Sequence, residues 1–375
     1  MFLTIIVFII TLLILVVSHE FGHFIVAKKF GIKVLEFGFG LPPRIWGKKI
    51  GDTLVSLNWL PIGGFVRLFG EDETDKDVLK AKDSFAAQPV WERIGVVVAG
   101  VTMNLILAVT LFYIVLSVHN FQEEVPLLTP FNFVGTEQTN QTAIFIGAVS
   151  PDSPAAQAGL SAGDQVVAFN GQPINDGQKL IDLTKQYAGE KVALKIEDSS
   201  KTTRDVEVTP RVNPPQGQGA LGIQLGTITM AKLNYQSFTQ RIFSGPVHAY
   251  NLTTYSFSIL GNLISESIKT KDLAPVSQSV SGPVGLTNLT GTILQTKSPF
   301  IPYLNFVALL SLNLAIINIL PFPALDGGRL IFLLIEAVTR KKVKPEIEKW
   351  VHAIGMILLI TLIVLITFSD IKKFF

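Results

Sequence analysis

Five consecutive residues could do chemistry together: His19, Glu20, Phe21, Gly22 and His23. Two histidines four apart share one face of a helix, so both imidazoles can ligate one Zn²⁺. The glutamate between them can serve as general base toward a water activated there. Residues 2–17, which lead into the motif, are almost wholly apolar. His and Glu inside a membrane span are unfavourable there, which makes them functional by default. Two incidental histidines on an amphipathic helix would be the plainer account in a soluble chain, and the apolar run argues against it.

A zinc site that turns over substrate needs a third protein ligand. A third histidine six residues after His23 would make the metzincin pattern, but that position is Lys29. The other histidines are His119, His248 and His352; the first and last sit near ends of apolar segments, and none has a strong claim. Asp326 has a better one. It lies in Asn318-Ile-Leu-Pro-Phe-Pro-Ala-Leu-Asp326-Gly327-Gly328, between two apolar runs. Pro321 and Pro323 break the helix, which a membrane segment tolerates only where neighbours or a cavity re-satisfy the backbone. An Asp there needs a cation, although Asp-Gly is also a common turn signal. Asn318 could hydrogen-bond substrate backbone, support Asp326, or serve as a helix-packing amide.

The rest of the chain must hold these groups. It has 375 residues, 48% hydrophobic and 16% charged, against about 25% charged in ordinary soluble domains. A net charge of +2 gives no sign of nucleic-acid binding, and the absence of cysteine excludes disulfides and Cys-based metal or nucleophile sites. Four segments are apolar enough to cross a bilayer, about 2–27, 94–118, 301–320 and 350–368. The first lacks a basic flank and a cleavage site, so it is expected to be retained rather than a signal peptide. Lys28, Lys29, Lys33, Arg44, Lys48 and Lys49 follow span one, and Arg340, Lys341, Lys342 and Lys344 lie between spans three and four. Both loops should therefore be cytoplasmic. The termini and the long polar region 120–300 should be outside, with Lys372 and Lys373 running mildly against the rule. His19 would sit about 25 Å along the helix from Phe2, near the cytoplasmic side.

Together these residues resemble the site-2 protease family of intramembrane metalloproteases, closest to the regulator-of-sigma-E protease branch. HEFGH in span one and NILPFPALDGG in span three match that branch's two zinc motifs. Val34–Gly40 and Leu60–Val66 look like its membrane-associated β-structured region, and Ser281-Gly282-Pro283-Val284-Gly285 like its motif ahead of span three. The resemblance implies that His19, His23 and Asp326 carry one Zn²⁺ and that Glu20 activates the water. There are two departures. An Ala-Gly-Pro…Asn motif expected in span two reads Ala99-Gly100-Val101…Asn104, so a kink there is in doubt. The branch commonly carries tandem PDZ domains, whereas this chain has room for one.

That one is expected at 119–228. Phe145–Leu160 and Ser161–Gly171 resemble a bacterial PDZ domain. Pro154 can open a short helix, Gly159 can end it, and Asn170-Gly171 is a hairpin turn. Leu221, Gly222 and Ile223 fall in a segment that could form the carboxylate loop and edge strand, as in circularly permuted PDZ domains, where a peptide can add as a strand. A steric gate with no peptide ligand is an equal alternative. Residues 52–60 alternate as a strand, Gly63-Gly64 should break it, and Phe65–Leu68 resumes. Such strands beside the metal could pair with an unwound substrate, or could merely close the site. Residues 71–83 read as a solvated charged loop, and 236–268 as helices with apolar faces, at the membrane surface by resemblance or packed in a soluble fold.

The expected architecture is a polytopic α-helical membrane protein with four transmembrane helices, a membrane-associated β region and an inserted α+β PDZ domain. The expected segments are 1–30 with HExxH, 31–93 as the β region, 94–118, the PDZ domain 119–228, an interfacial helical segment 229–300, span three with LDGG at 301–338, a basic loop 339–349 and span four at 350–375. The resemblance implies a zinc endopeptidase of the bacterial inner membrane that cuts single-span membrane proteins in regulated intramembrane proteolysis. Anti-sigma-factor-like proteins and signal-peptide remnants are candidate substrates, with an upstream site-1 protease making the first cut. A PDZ scaffold with a vestigial metal site is the alternative, and a zinc transporter a weaker one, since it would leave Glu20 unexplained.

Overall fold

The computed structural model describes residues 2–71, 75–198, 202–272 and 274–374. The chain folds as two compact units, residues 1–118 with 243–375, and residues 119–242.

In the first part of the chain, helix α1 (Phe2–Lys29) leads into strands β1 (Val34–Ile50) and β2 (Thr53–Leu68), then short helix α2 (Lys76–Lys80) and helix α3 (Val90–Val118). Helix α1 ends where Gly31 takes φ +73°. There the Ile32 amide donates to the Ala27 carbonyl at 2.9 Å and the Gly31 amide to that of Lys28 at 3.1 Å, so the last carbonyls are satisfied as the chain turns away. Within the expected charged loop, α2 is capped by the Asp75 side chain, and residues 72–74 lie outside the described ones.

The strands β1 and β2 are each long enough to fold back on the sheet. Residues 36–39 lie opposite 54–57 on one side and 64–67 on the other, and 54–57 also lie opposite 46–49. Two strands thus give four ladder segments in the order 46–49, 54–57, 36–39, 64–67. The expected break at Gly63-Gly64 is a bend inside one strand: Gly63 takes φ +86°, and pairing continues through Gly64 and Phe65. Segment 64–67 is an outer edge of this sheet.

The second unit holds β3 (Gln122–Leu127), β4 (Glu137–Val149), α4 (Pro154–Gln157), β5 (Gln165–Phe169), β6 (Gln172–Pro173), α5 (Gly177–Gln186), β7 (Val192–Glu197), β8 (Thr203–Val208), β9 (Ile223–Asn234) and α6 (Phe238–Ile242). The sheet order is β3-β9-β4-β5-β7-β8, with β6 beside β5. Its core is the inward row Ile144, Ile146, Val166, Leu194 and Ile196, closed by Leu160 and Leu180. Pro154 opens α4 behind the Ser153 cap, and Gly159 at φ +71° ends it. Asn170 and Gly171 both take positive φ, 46° and 79°, as a two-residue hairpin between right-twisted strands requires. The unit extends past 228, because β9 runs on to Asn234 to pair with β3.

The chain then forms α7 (Ser244–Thr270), α8 (Ala274–Ser279), α9 (Pro283–Leu294), α10 (Phe300–Ile319), α11 (Asp326–Thr339) and α12 (Pro345–Phe374). Among the described residues four helices are long and apolar enough to cross a membrane: α1, α3, α10 and the 346–373 part of α12. The stretch expected as one span over 301–338 is two helices. Leu320 turns to extended backbone ahead of Pro321, which cannot continue the ladder, and a new helix starts at Asp326. Helix α7 packs on α3, where Gly245 meets the Val109 carbonyl and Phe112, Ala249, Ala308 and Leu312 form a buried cluster.

Candidate metal centre

His19 and His23 face the same side of α1, with their Nε2 atoms 3.2 Å apart. Asp326, the first residue of α11, brings Oδ2 to 3.0 Å from His19 Nε2 and 3.3 Å from His23 Nε2. These three form a cluster of metal-ligating side chains among the described residues. Ligands about 2.0–2.1 Å from a tetrahedral Zn²⁺ stand roughly 3.3 Å from one another, so the donor triangle has the size of one face of such a site. Asp326 Oδ2 is buried and, among the described residues, faces the two imidazole nitrogens with no other hydrogen-bond donor, as expected of a carboxylate oxygen that shares a cation with them. The residues therefore fit a zinc ion.

The surroundings aim the ligands. His23 Nδ1 lies 2.8 Å from the Val96 carbonyl of α3. Only a protonated Nδ1 can donate there, which leaves the Nε2 lone pair free for metal. Gly100, one turn further along α3, lies against both imidazoles; a methyl there would fall 2.6 Å from His23 Cε1. Gly22 of α1 likewise abuts the Ala99 carbonyl. Small residues at such crossings let backbones approach, which is how helices associate in lipid. Arg93 at the start of α3 forms a buried, two-bonded ion pair with Glu336 of α11, and so ties the Asp326 helix to the helix behind the histidines.

Glu20 lies between the triangle and the sheet edge, close enough to His19, His23 and Asp326 to feel their charges. The Val66 backbone amide faces its carboxylate, and a methyl built on Gly64 would lie 3.7 Å from its Cγ. The outer edge segment 64–67 thus runs beside Glu20. Phe65 lays its ring over Gly38 in the neighbouring segment. Gly63 sits at the bend, where a methyl built on it would meet the Leu41 side chain at 3.9 Å. Asn318 lies half-buried in the last turn of α10, and no hydrogen bond among the described residues ties it to Asp326.

In the second unit, Leu221 and Ile223 line a cavity of about 310 Å³ against Leu180, Ile181 and Thr184 of α5. Residues 229–234 of β9 pair with β3, whereas 223–228 pair with β4 alone and leave their other edge open beside this cavity. Gly222 shapes the turn instead of lining the cavity. It takes φ +73°, and its carbonyl accepts from the Ser150 amide at 2.8 Å.

Two features of the metal region are not visible in the motifs. Arg329 pairs with Glu71, which joins α11 to the segment after the sheet. His352 of α12 accepts the Ala324 amide at 2.9 Å, two residues ahead of Asp326. The signal available in sequence was an ionisable residue at the head of an apolar helix, which names no partner.

The model for Peptidase family M50 matches residues 7–362. A putative zinc metalloprotease of Clostridium perfringens is 33% identical over 95% of this chain and 95% of its own length. The zinc metalloprotease RasP of Geobacillus kaustophilus is 29% identical over 99% and 98%, and the regulator of sigma-W protease RasP of Bacillus subtilis 26% identical over 99% of each. Among solved structures, the PDZ domain of an SdrC-like protein from Listeria innocua is 24% identical, covering 22% of this chain and 92% of that one, with a TM-score of 0.20.

Proposed function

Since the chain belongs to Peptidase family M50 and is a zinc metalloprotease, we propose that it is an intramembrane endopeptidase that cuts the transmembrane segments of single-span membrane proteins. The observation that carries this is the convergence of His19, His23 and Asp326 donor atoms at 3.0–3.3 Å, with Glu20 beside them, where the two histidines and Glu20 lie on a helix built like a membrane span and Asp326 heads the short helix that follows another. His19, His23 and Asp326 would hold one zinc ion. When bound, zinc supplies Lewis acidity to the scissile carbonyl and to the attacking water. Glu20 takes the water's proton as the C–O bond forms, and returns it to the leaving nitrogen as the C–N bond breaks.

A helical substrate hides its scissile amides in its own hydrogen bonds, so cleavage requires local unwinding. The edge segment 64–67 beside Glu20 supports a role in receiving the unwound stretch as an added strand, with Gly63, Gly64 and Phe65 contributing the bend, the close approach and the packing. Asn318, at the other side of the Pro321–Leu325 turn, would contact substrate backbone. The positive residues after α1 and after α11 favour a cytoplasmic position for the sheet and for the metal end of α1, with the 119–242 unit outside.

The family supports regulated intramembrane proteolysis in a bacterial inner membrane. The B. subtilis relative is named for regulating sigma-W, which makes anti-sigma-factor-like proteins the first substrates to try, after an outer protease has shortened them; signal-peptide remnants are the second. The open edge at 223–228, beside the cavity lined by Leu221 and Ile223, supports a PDZ-like groove for an extended peptide end.

The test is co-expression of the wild type and Glu20→Gln with a tagged single-span substrate lacking most of its ectodomain, with and without a zinc chelator. Cleavage by the wild type alone, abolished by chelation, is expected, with zinc retained by Glu20→Gln. Normal turnover by Glu20→Gln would refute the assignment of the base, and a wild type that binds no zinc would refute the site.

A further inference from the structure

We propose that His352 is a positioning residue for Asp326, acting through the Ala324 amide. This rests on the metal-site assignment above. The turn from Leu320 to Leu325 has to bring a carboxylate to two imidazoles contributed by another helix, and its geometry is demanding. Ala324 takes φ +76°, a region that residues with a Cβ rarely adopt and that persists only where the surroundings fix it. The turn's own bonds hold its ends: Phe322 donates to Leu320 at 2.7 Å, Leu325 to Phe322 at 3.2 Å and Gly328 to Leu325 at 3.0 Å. The Ala324 amide is held from outside the turn, by His352 Nδ1 at 2.9 Å.

Helix α12 is shaped for this. His352 and Gly355 are three apart and share a face. Gly355 has no side chain where Pro323 comes in, and a methyl there would lie 2.6 Å from the Pro323 carbonyl carbon. The same face that admits Pro323 therefore delivers the imidazole to the next residue. The contact also implies the tautomer: an Nδ1 that accepts the Ala324 amide at 2.9 Å carries no proton, so a neutral ring has its proton on Nε2, which faces Glu348 Oε1 at 4.0 Å. Phe332 of α11 packs against the ring, with centroids 5.8 Å apart. Glu348 also stands 3.9 Å from Arg329 Nε, and Arg329 pairs with Glu71, so the acceptor is braced from three segments.

If the role is positioning, losing the acceptor should loosen the metal and leave substrate binding alone. Groups that orient metal ligands typically contribute about 10–100-fold in affinity or activity. The experiment compares full-length wild type, His352→Ala and His352→Asn in detergent, reading zinc content, chelator competition, thermal unfolding, and kcat and KM on a single-span substrate. Asparagine can put its Oδ1 near the Nδ1 position and so keep an acceptor. His352→Ala is expected to lose zinc affinity by roughly tenfold and to fall in kcat with KM unchanged. His352→Asn is expected to recover most of both.

Wild-type zinc retention in His352→Ala would overturn the proposal. So would a folded His352→Asn as impaired as the alanine variant, because ring packing rather than the acceptor would then be what matters. If His352→Ala fails to fold, the asparagine variant alone decides, in the same directions. A wild type that binds no zinc would instead refute the site assignment, which separates the two failures.

Discussion

Substituting Gly100 by alanine adds a single methyl to α3 at the point where both imidazoles rest. That carbon would lie 2.6 Å from His23 Cε1 and 2.8 Å from His19 Cε1, with His23 Nε2 nearer still. Non-bonded carbons settle about 3.5–4.0 Å apart, so the rings or the helix must retreat by roughly 1 Å. Metal–ligand distances tolerate about 0.2 Å, and a 1 Å misplacement near the chemistry can lower rate by about 100-fold. Propensity pushes the other way, since alanine favours a helix over glycine by roughly 1 kcal/mol. A loss of function would therefore be local rather than a weakened helix. The assay is chelator competition for zinc together with turnover of a single-span substrate. Gly95→Ala in the same helix is the control, because its methyl meets only the edge of the Phe30 ring, at 3.2 Å. Gly100→Ala is expected to lose at least about tenfold in zinc affinity, near 1.4 kcal/mol, and about 100-fold in turnover, while Gly95→Ala behaves as wild type. Gly100→Ala with wild-type zinc retention and turnover would refute the reasoning.

Asp370 of α12 is fully buried, and its Oδ2 accepts the Gly282 and Gly285 amides at 2.8 Å each. Asp370→Ala should lower stability by roughly 3 kcal/mol by stranding both donors, and Asp370→Asn by less; an unchanged Tm in the alanine variant would contradict this. Burial pushes His248 of α7 down to about 4 from 6.5. Between those values the unfolded chain takes up a proton that the folded one refuses, so this contribution is whole above pH 6.5 and is lost as pH falls toward 4, about 2 kcal/mol being gone at pH 5. Urea midpoints against pH should show that slope in the wild type and a flatter one in His248→Leu. Zinc at about 100 times its Kd would stabilise the folded chain by about 2.7 kcal/mol. Chelation should therefore lower the Tm of the wild type and leave His23→Ala unmoved, and equal shifts in both would show that the chelator acts elsewhere.

Much of the metal region was legible because its signals are local. The i, i+4 histidines need only a helix, and the two prolines before Asp326 announce a break that an apolar span has no other reason to contain. Legibility faded where one residue's partner is set by the path of another element. The strand expected to stop at Gly63-Gly64 goes on because Gly63 can bend at φ +86° without leaving the sheet, and a glycine pair looks the same whether it ends a strand or bends one. The doubling of two strands into four ladder segments depends on 36–39 finding partners on both sides, a register that alternation alone does not specify. The span expected over 301–338 is too long because α10 and α11 are both apolar, and only the turn between them separates spanning helix from ligand-bearing helix. The role of His352 is hidden for a related reason: as a possible ligand it has no strong claim, and its partner is a backbone amide that no motif marks.

The close contacts around the metal share a physical logic. Inside lipid, helices gain nothing by hiding apolar side chains from water, so association rests on packing and on the few polar bonds available. Here glycine brings backbone to backbone where ligand geometry is decided: Gly22 against Ala99, Gly327 against the Ile319 and Leu320 carbonyls, and Gly355 against Pro323. Backbone contacts are stiffer than side-chain contacts, because no rotamer change relieves them. The polar bonds then fix what packing leaves free, through Val96 to His23, Arg93 to Glu336 and His352 to Ala324. The side proposed to receive substrate differs. Among the described residues segment 64–67 has a strand partner on one side only, and its other edge faces Glu20 through the Val66 amide, so it offers backbone groups that an added strand could pair. On the proposed reading the arrangement combines a metal cradle with little freedom and a neighbouring edge strand that an unwound segment would extend. That pairing would offset the hydrogen bonds a helix gives up to be cut.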